Sequence, residues 1–78
     1  LRSVEGAEDD RPAARSAIAD ARVSDRDVLV AVAASGSTPF TTEALASAHA
    51  RGALTIAIAN NADALLFQEA DHRIFIPT

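Results

Sequence analysis

Ser35-Gly36-Ser37-Thr38 puts three hydroxyls and a glycine into four consecutive positions. The apolar run Val28 to Ala34 precedes it, and Pro39, a residue suited to the first position of a helix, follows it. A loop between a buried strand and a helix start is well placed to hold an anion. The first N–H groups of a helix have no backbone partner and carry a partial positive charge. Phosphate binds such ends readily. Gly36 permits the tight turn and close approach a ligand needs, and the hydroxyls of Ser35, Ser37 and Thr38 can donate to phosphate oxygens. The same residue types also make ordinary turns and N-caps, so on their own they leave both readings open. All seven basic residues are Arg. The lysine of a nucleotide P-loop is therefore missing.

Glu8 is the second candidate, as an acid/base carboxylate. It opens an Ala-rich stretch, Glu8 to Arg22, with no glycine and with Pro12 early enough to fall in a first turn. That spacing predicts a helix with Ala14, Ile18, Ala21 and Ala17 as its apolar stripe. A helix feeding a parallel strand runs antiparallel to it. About 14 helical residues rise roughly 21 Å, and about seven strand residues span roughly 23 Å. Glu8 is therefore expected near the same sheet edge as Ser35, the edge where α/β proteins bind ligands. The plainer alternative is that Glu8, Asp9 and Asp10 only favour the helix dipole.

Other polar residues point less sharply to chemistry. Asn60 and Asn61 follow the next strand and fit a helix cap better than a sugar contact. His49 is expected mid-helix and facing solvent, and His72 in a structural role before a strand. No His, Asp and Glu grouping has metal-ligand spacing. Ser35 lacks the G-x-S-x-G setting of a serine hydrolase.

The elements that must position these residues alternate. Val28 to Ala33 and Leu54 to Ala59 are apolar on both faces, as buried parallel strands are. Pro39 to Arg51 reads as a helix with Thr38 as N-cap and Gly52 as its stop. Ala64 to Glu69 reads as a short helix, and Arg73 to Ile76 as a third strand. This order argues for an α/β fold, a parallel sheet with right-handed crossovers and helices on both faces. Two doubly apolar strands need cover on both sides, and the 78 residues contain few helices to give it. The chain also starts at Leu1 and stops directly after a strand. The expectation is a partial domain whose core is completed by further segments or a partner.

Composition narrows the classes. At 49% hydrophobic, the chain is a core-forming sequence rather than a disordered one. No apolar run approaches the roughly 20 residues of a membrane span, and the acidic first ten residues are unlike a signal peptide. A net charge of -4, scattered arginines and only three aromatic residues, all Phe, argue against nucleic acid as a partner. Without cysteine there are no disulfides or thiolate metal sites, which fits a cytosolic setting.

Val4-Glu5-Gly6-Ala7-Glu8-Asp9 and Ala33-Ala34-Ser35-Gly36-Ser37-Thr38-Pro39-Phe40 resemble two signature segments of the N-acetylmuramic acid 6-phosphate etherases. Glu69-Ala70-Asp71-His72 and Ile76-Pro77-Thr78 also stand where that pattern has similar residues. These enzymes belong to the sugar isomerase (SIS) domain superfamily. The resemblance covers essentially the whole chain. The acidic segment is fairly specific to the etherases, and the Ser-Gly-x-Thr loop is shared more widely.

The resemblance implies an SIS-type, flavodoxin-like three-layer sandwich, of which residues 1–78 are part. It implies cleavage of the lactyl ether of N-acetylmuramic acid 6-phosphate to N-acetylglucosamine 6-phosphate and D-lactate. Glu8 then matches one of two catalytic glutamates, the other belonging to a segment upstream of Leu1. Ser35, Gly36, Ser37 and Thr38 hold the phosphorylated amino sugar. No metal or organic cofactor is implied, and the family members are cytoplasmic homodimers. The family usually has Arg where this chain has Ser37, which puts anion binding or substrate identity in question. A sugar-phosphate-sensing SIS domain without catalysis, or an aldose–ketose phosphosugar isomerase, are the alternatives.

Overall fold

The structure is a computed structural model and describes residues 2–3, 10–33 and 38–77. In chain order the elements are β1 (Arg2–Ser3), α1 (Arg11–Asp20), β2 (Val28–Ala33), α2 (Pro39–Ala50), β3 (Leu54–Ala59), a 3-10 helix (Leu65–Glu69) and β4 (His72–Phe75). The four strands form one parallel sheet in the order β1-β2-β3-β4. β2 and β3 pair over their full length, from Val28 opposite Leu54 to Ala33 opposite Ala59. The α/β parallel arrangement is the one the sequence pattern implies. The strand β1 is an addition to it: two polar residues have no alternation or apolar run to mark them.

Local chemistry explains the helix bounds. Asp10 caps α1, its carboxylate accepting the Ala13 N–H at 2.9 Å, and Pro12 falls in the first turn. This cap starts the helix at Arg11, three residues later than expected. Both helices end in the same backbone motif. Val23 N–H donates to the Ile18 carbonyl, and Ala53 N–H to the Ala48 carbonyl, each after one residue with positive φ. That residue is Gly52 (φ 89°) after α2, but Arg22 (φ 54°) after α1. Ala64 to Glu69, expected as a short helix, is a 3-10 turn with Ala64 as its cap position, a form common in connectors of this length.

Right-handed crossovers place the helical layer. Going from β2 to β3 and from β3 to β4 moves the same way across the sheet, so both connections lie on one face. On that face Leu29, Ala31, Thr55, Ala57 and Ala59 are buried beneath Phe40, Ala44, Leu45 and Ala48 of α2 and Leu66 and Phe67 of the 3-10 helix. Alanines on strand and helix alike let α2 approach the sheet closely. α1 packs mainly on α2. Its buried stripe is accordingly narrow: Ala14 and Ile18 are buried and Ala21 partly so, but Ala17, expected in the stripe, is exposed. The opposite sheet face carries Val28, Val30, Val32, Leu54, Ile56, Ile58 and Ile74. Val32 is 63% exposed and Ile74 44%. Among the described residues no helix covers this face, so the second helical layer of the expected sandwich is not among them.

Candidate functional site

Parallel strands all point their carboxyl ends one way, and α1 and α2 run back against them. The starts of both helices therefore share an edge with Ala33 and Ala59, the last residues of β2 and β3. An ion-pair cluster ties these starts together. Arg11 Nη1 and Arg15 Nη1 of α1 lie 3.5 and 3.4 Å from the same atom, Oε1 of Glu43 on α2. Both arginine side chains are about half exposed.

Thr38 is the one residue of the proposed anion loop that the structure describes. It occupies the N-cap position of α2 with an extended backbone (φ -70°, ψ 132°). The expected cap bond is not made: the Thr38 side chain accepts no N–H of the first turn. Its carbonyl instead accepts both the N–H and the hydroxyl of Thr42, at 3.0 and 2.9 Å. With Pro39 lacking an N–H, the amides of Phe40 and Thr41 open α2 without intrahelical acceptors. Among the described residues, the amides that open α2 and the Thr38 hydroxyl have no hydrogen-bond acceptor or cap partner. Ser35, Gly36, Ser37 and Glu8 lie outside the described residues.

Asn61 builds the turn after β3, its side-chain oxygen accepting the Asp63 N–H at 3.0 Å. It shapes the approach to the 3-10 helix but does not cap it, since the cap position is Ala64.

A second polar group lies at the opposite, amino edge of the sheet. Asp25, His49, Asp71 and His72 line an open depression of about 410 Å³ with Gly52, Ala53 and Leu54. His49, expected mid-helix, stands in the last turn of α2, its Nδ1 3.8 Å from Asp71 Oδ1. Asp71 is held structurally by Thr55, whose backbone N–H donates to the carboxylate at 2.9 Å. That bond is the main reason the Asp71 carboxyl titrates below its ordinary value. The Thr55 hydroxyl and the neighbouring His49 and His72 add to it, and desolvation opposes it. Parallel α/β sheets bind ligands at their carboxyl edge, so this cluster reads as a strand clamp. Among the described residues, no three His, Asp or Glu side chains converge as metal ligands would.

Sequence reasoning missed the Arg11–Arg15–Glu43 cluster and the Thr55–Asp71 clamp. The i, i+4 spacing of Arg11 and Arg15 was visible, but nothing local shows that Glu43 packs between them. The SIS domain family model matches residues 10–78. The chain belongs to the SIS domain family. It is similar to curated N-acetylmuramic acid 6-phosphate etherases, as its signature segments suggested. It is 43% identical over 76 residues to one from Deinococcus radiodurans, covering 97% of this chain and 25% of that protein. With one from Symbiobacterium thermophilum it shares 49% identity over 71 residues, covering 91% and 23%. The SIS chain thus spans about a quarter of the length of these relatives. A solved structure, the Vibrio vulnificus NanR protein complexed with ManNAc-6P, superposes with a TM-score of 0.72 at 23% identity. The match covers 88% of this SIS chain and 25% of that one. It shows the same fold. No helix among the described residues is long and apolar enough to cross a membrane.

Proposed function

We propose that this chain provides the phosphosugar-binding edge of a carbon–oxygen lyase that cleaves the lactyl ether of N-acetylmuramic acid 6-phosphate. The similarity to the etherases over 97% of the chain carries this reading. The start of α2 supports it, because helix-opening amides and a Thr38 that makes no cap bond suit a phosphate. NanR, with the same fold, was solved with a phosphorylated amino sugar. Ser35, Gly36, Ser37 and Thr38 then anchor the phosphate. Glu8 is two residues before Asp10, the cap of α1, in the sequence.

The chemistry follows from the sugar. With the ring open, C1 is an aldehyde and the C2 proton becomes acidic enough to remove. Glu8 acts on that proton, lactate leaves C3 as the C2–C3 double bond forms, and water adds back across it. Proton and water account for N-acetylglucosamine 6-phosphate and D-lactate as products, with no cofactor. The second catalytic glutamate, the homodimer and the cytoplasmic location come with the family resemblance. A sensing role without catalysis is the second reading, favoured by Ser37 at a position where the etherases usually carry Arg.

The test is Glu8→Gln in the full-length protein. A general acid/base contributes roughly 10²–10⁴-fold in rate. The variant is expected to bind the sugar phosphate and to lose lactate release and deuterium exchange at C2 by that order. Release at the wild-type rate would make Glu8 structural. A wild type that binds the sugar without releasing lactate would establish the sensing role instead.

A further inference from the structure

The Arg11–Arg15–Glu43 cluster has more donors than its partner uses. Each guanidinium has five N–H groups and pairs best with a carboxylate through two short parallel bonds. Here both arginines reach the same single oxygen at 3.4–3.5 Å, and about half of each side chain stays open to solvent. The adjacent carboxylate of Asp10 is engaged with its own helix, accepting the Ala13 N–H. Two loosely paired guanidinium groups thus lie along the first half of α1, the helix that starts at the carboxyl edge. Glu43 is five residues along α2 from Thr38, a rise of about 7.5 Å from the start of that helix.

The substrate of the proposed lyase has two anions, the phosphate on C6 and the carboxylate of the lactyl group on C3. They are carried by carbons three apart along the sugar chain. With the phosphate at the start of α2, the lactyl carboxylate is a second anion for the same sheet edge, where α1 also starts. Resting on that reading, we propose that Arg11 and Arg15 recognise the lactyl carboxylate. Glu43 holds the two guanidinium groups in place until the substrate takes over the pairing. These residues would then decide which sugar phosphates are accepted as well as aligning the leaving group.

Calorimetry on the full-length protein tests this with N-acetylmuramic acid 6-phosphate and with N-acetylglucosamine 6-phosphate, which lacks the lactyl group. The Arg11→Gln/Arg15→Gln variant keeps most of each side-chain stem at exposed positions. It is expected to bind the muramic ligand about tenfold more weakly and the glucosamine ligand as before. Glu43→Gln, which frees the guanidinium groups, is expected to tighten the muramic ligand alone. Equal weakening of both ligands by the arginine variant would move the pair to the phosphate and overturn the proposal. No change for either ligand would also overturn it, while a loss of both on Ser35→Ala would leave the phosphosugar reading standing. A wild type that binds neither ligand would remove both.

Discussion

Asp71 and Thr55 grip each other across the amino edge of the sheet. The Asp71 carboxylate accepts the Thr55 N–H at 2.9 Å, and the Thr55 hydroxyl oxygen accepts the Asp71 N–H at 3.0 Å. Thr55 is fully buried, and its hydroxyl proton has two acceptors in reach, Asp71 Oδ2 at 3.1 Å and the Glu69 carbonyl at 3.2 Å. The start of β3 is thereby fixed to the start of β4. The open depression beside it is best understood as the outer surface of this clamp.

The clamp makes stability depend on acid. The Asp71 carboxyl titrates below its ordinary value of 3.8 because the bonds from Thr55 favour the charged form. Its contribution is therefore complete above that value and is lost as pH falls through the lowered one. In the full-length protein Asp71→Asn is expected to flatten the acid limb of a plot of melting temperature against pH, with the difference from wild type shrinking below pH 3.8. Thr55→Val keeps the shape and removes the hydroxyl, at a cost of about 1–2 kcal/mol by denaturant titration. An unchanged midpoint in both variants would show that β3 and β4 stay paired without the clamp.

The two helix ends give opposite expectations for one kind of change. Gly52→Ala forces a Cβ into a left-handed position and brings it to 3.2 Å from Asp25 Cβ. It is expected to destabilise by about 1–2 kcal/mol. Arg22→Gly relieves the same strain after α1 and is expected to stabilise by about 0.5–1 kcal/mol, part of the gain being offset by unfolded-state entropy. Urea melts of the two variants in the full-length protein decide it, and a loss of stability in Arg22→Gly would mean that the arginine side chain contributes more than the backbone strain costs.

Phosphate binding is expected to depend on the loop before α2. In the full-length protein Ser35→Ala and Thr38→Val each remove one hydroxyl donor. A hydrogen bond to a charged group is worth about 1.5–3 kcal/mol, so each change weakens sugar-phosphate binding roughly tenfold to a hundredfold. The effect is carried by the phosphate, so sugars without it discriminate poorly between wild type and variants. Calorimetry showing wild-type affinity for both variants would place the anion elsewhere.

Residues 1–78 expressed alone are expected to fold poorly. The sheet face bearing Val32, Leu54 and Ile74 is exposed, at 63%, 41% and 44% respectively. Apolar area on that face yields its stabilisation only when removed from water. Circular dichroism on heating should show a broad, shallow transition, and dye binding should report exposed apolar surface. A sharp cooperative melt from a monomer would contradict this.

Much of this protein follows from order along the chain. Val28–Ala33, Pro39–Ala50 and Leu54–Ala59 are legible because run length, Pro39 and Gly52 are local signals, and parallel pairing follows from strand–helix alternation. The Ser35 loop stood out because a strand end, a glycine, hydroxyls and a helix start are consecutive. Other features needed the tertiary structure. Ala17 is chemically like Ala14, yet only the position of α2 makes one exposed and the other buried. Arg11, Arg15 and Glu43 meet because two parallel helices start at one edge, and Asp71 finds Thr55 sixteen residues away because β3 and β4 lie side by side. Local conformation is set by neighbours in sequence, through caps, propensities and backbone sterics. Contacts between separate elements depend on how those elements pack, and no short window of residues contains that packing.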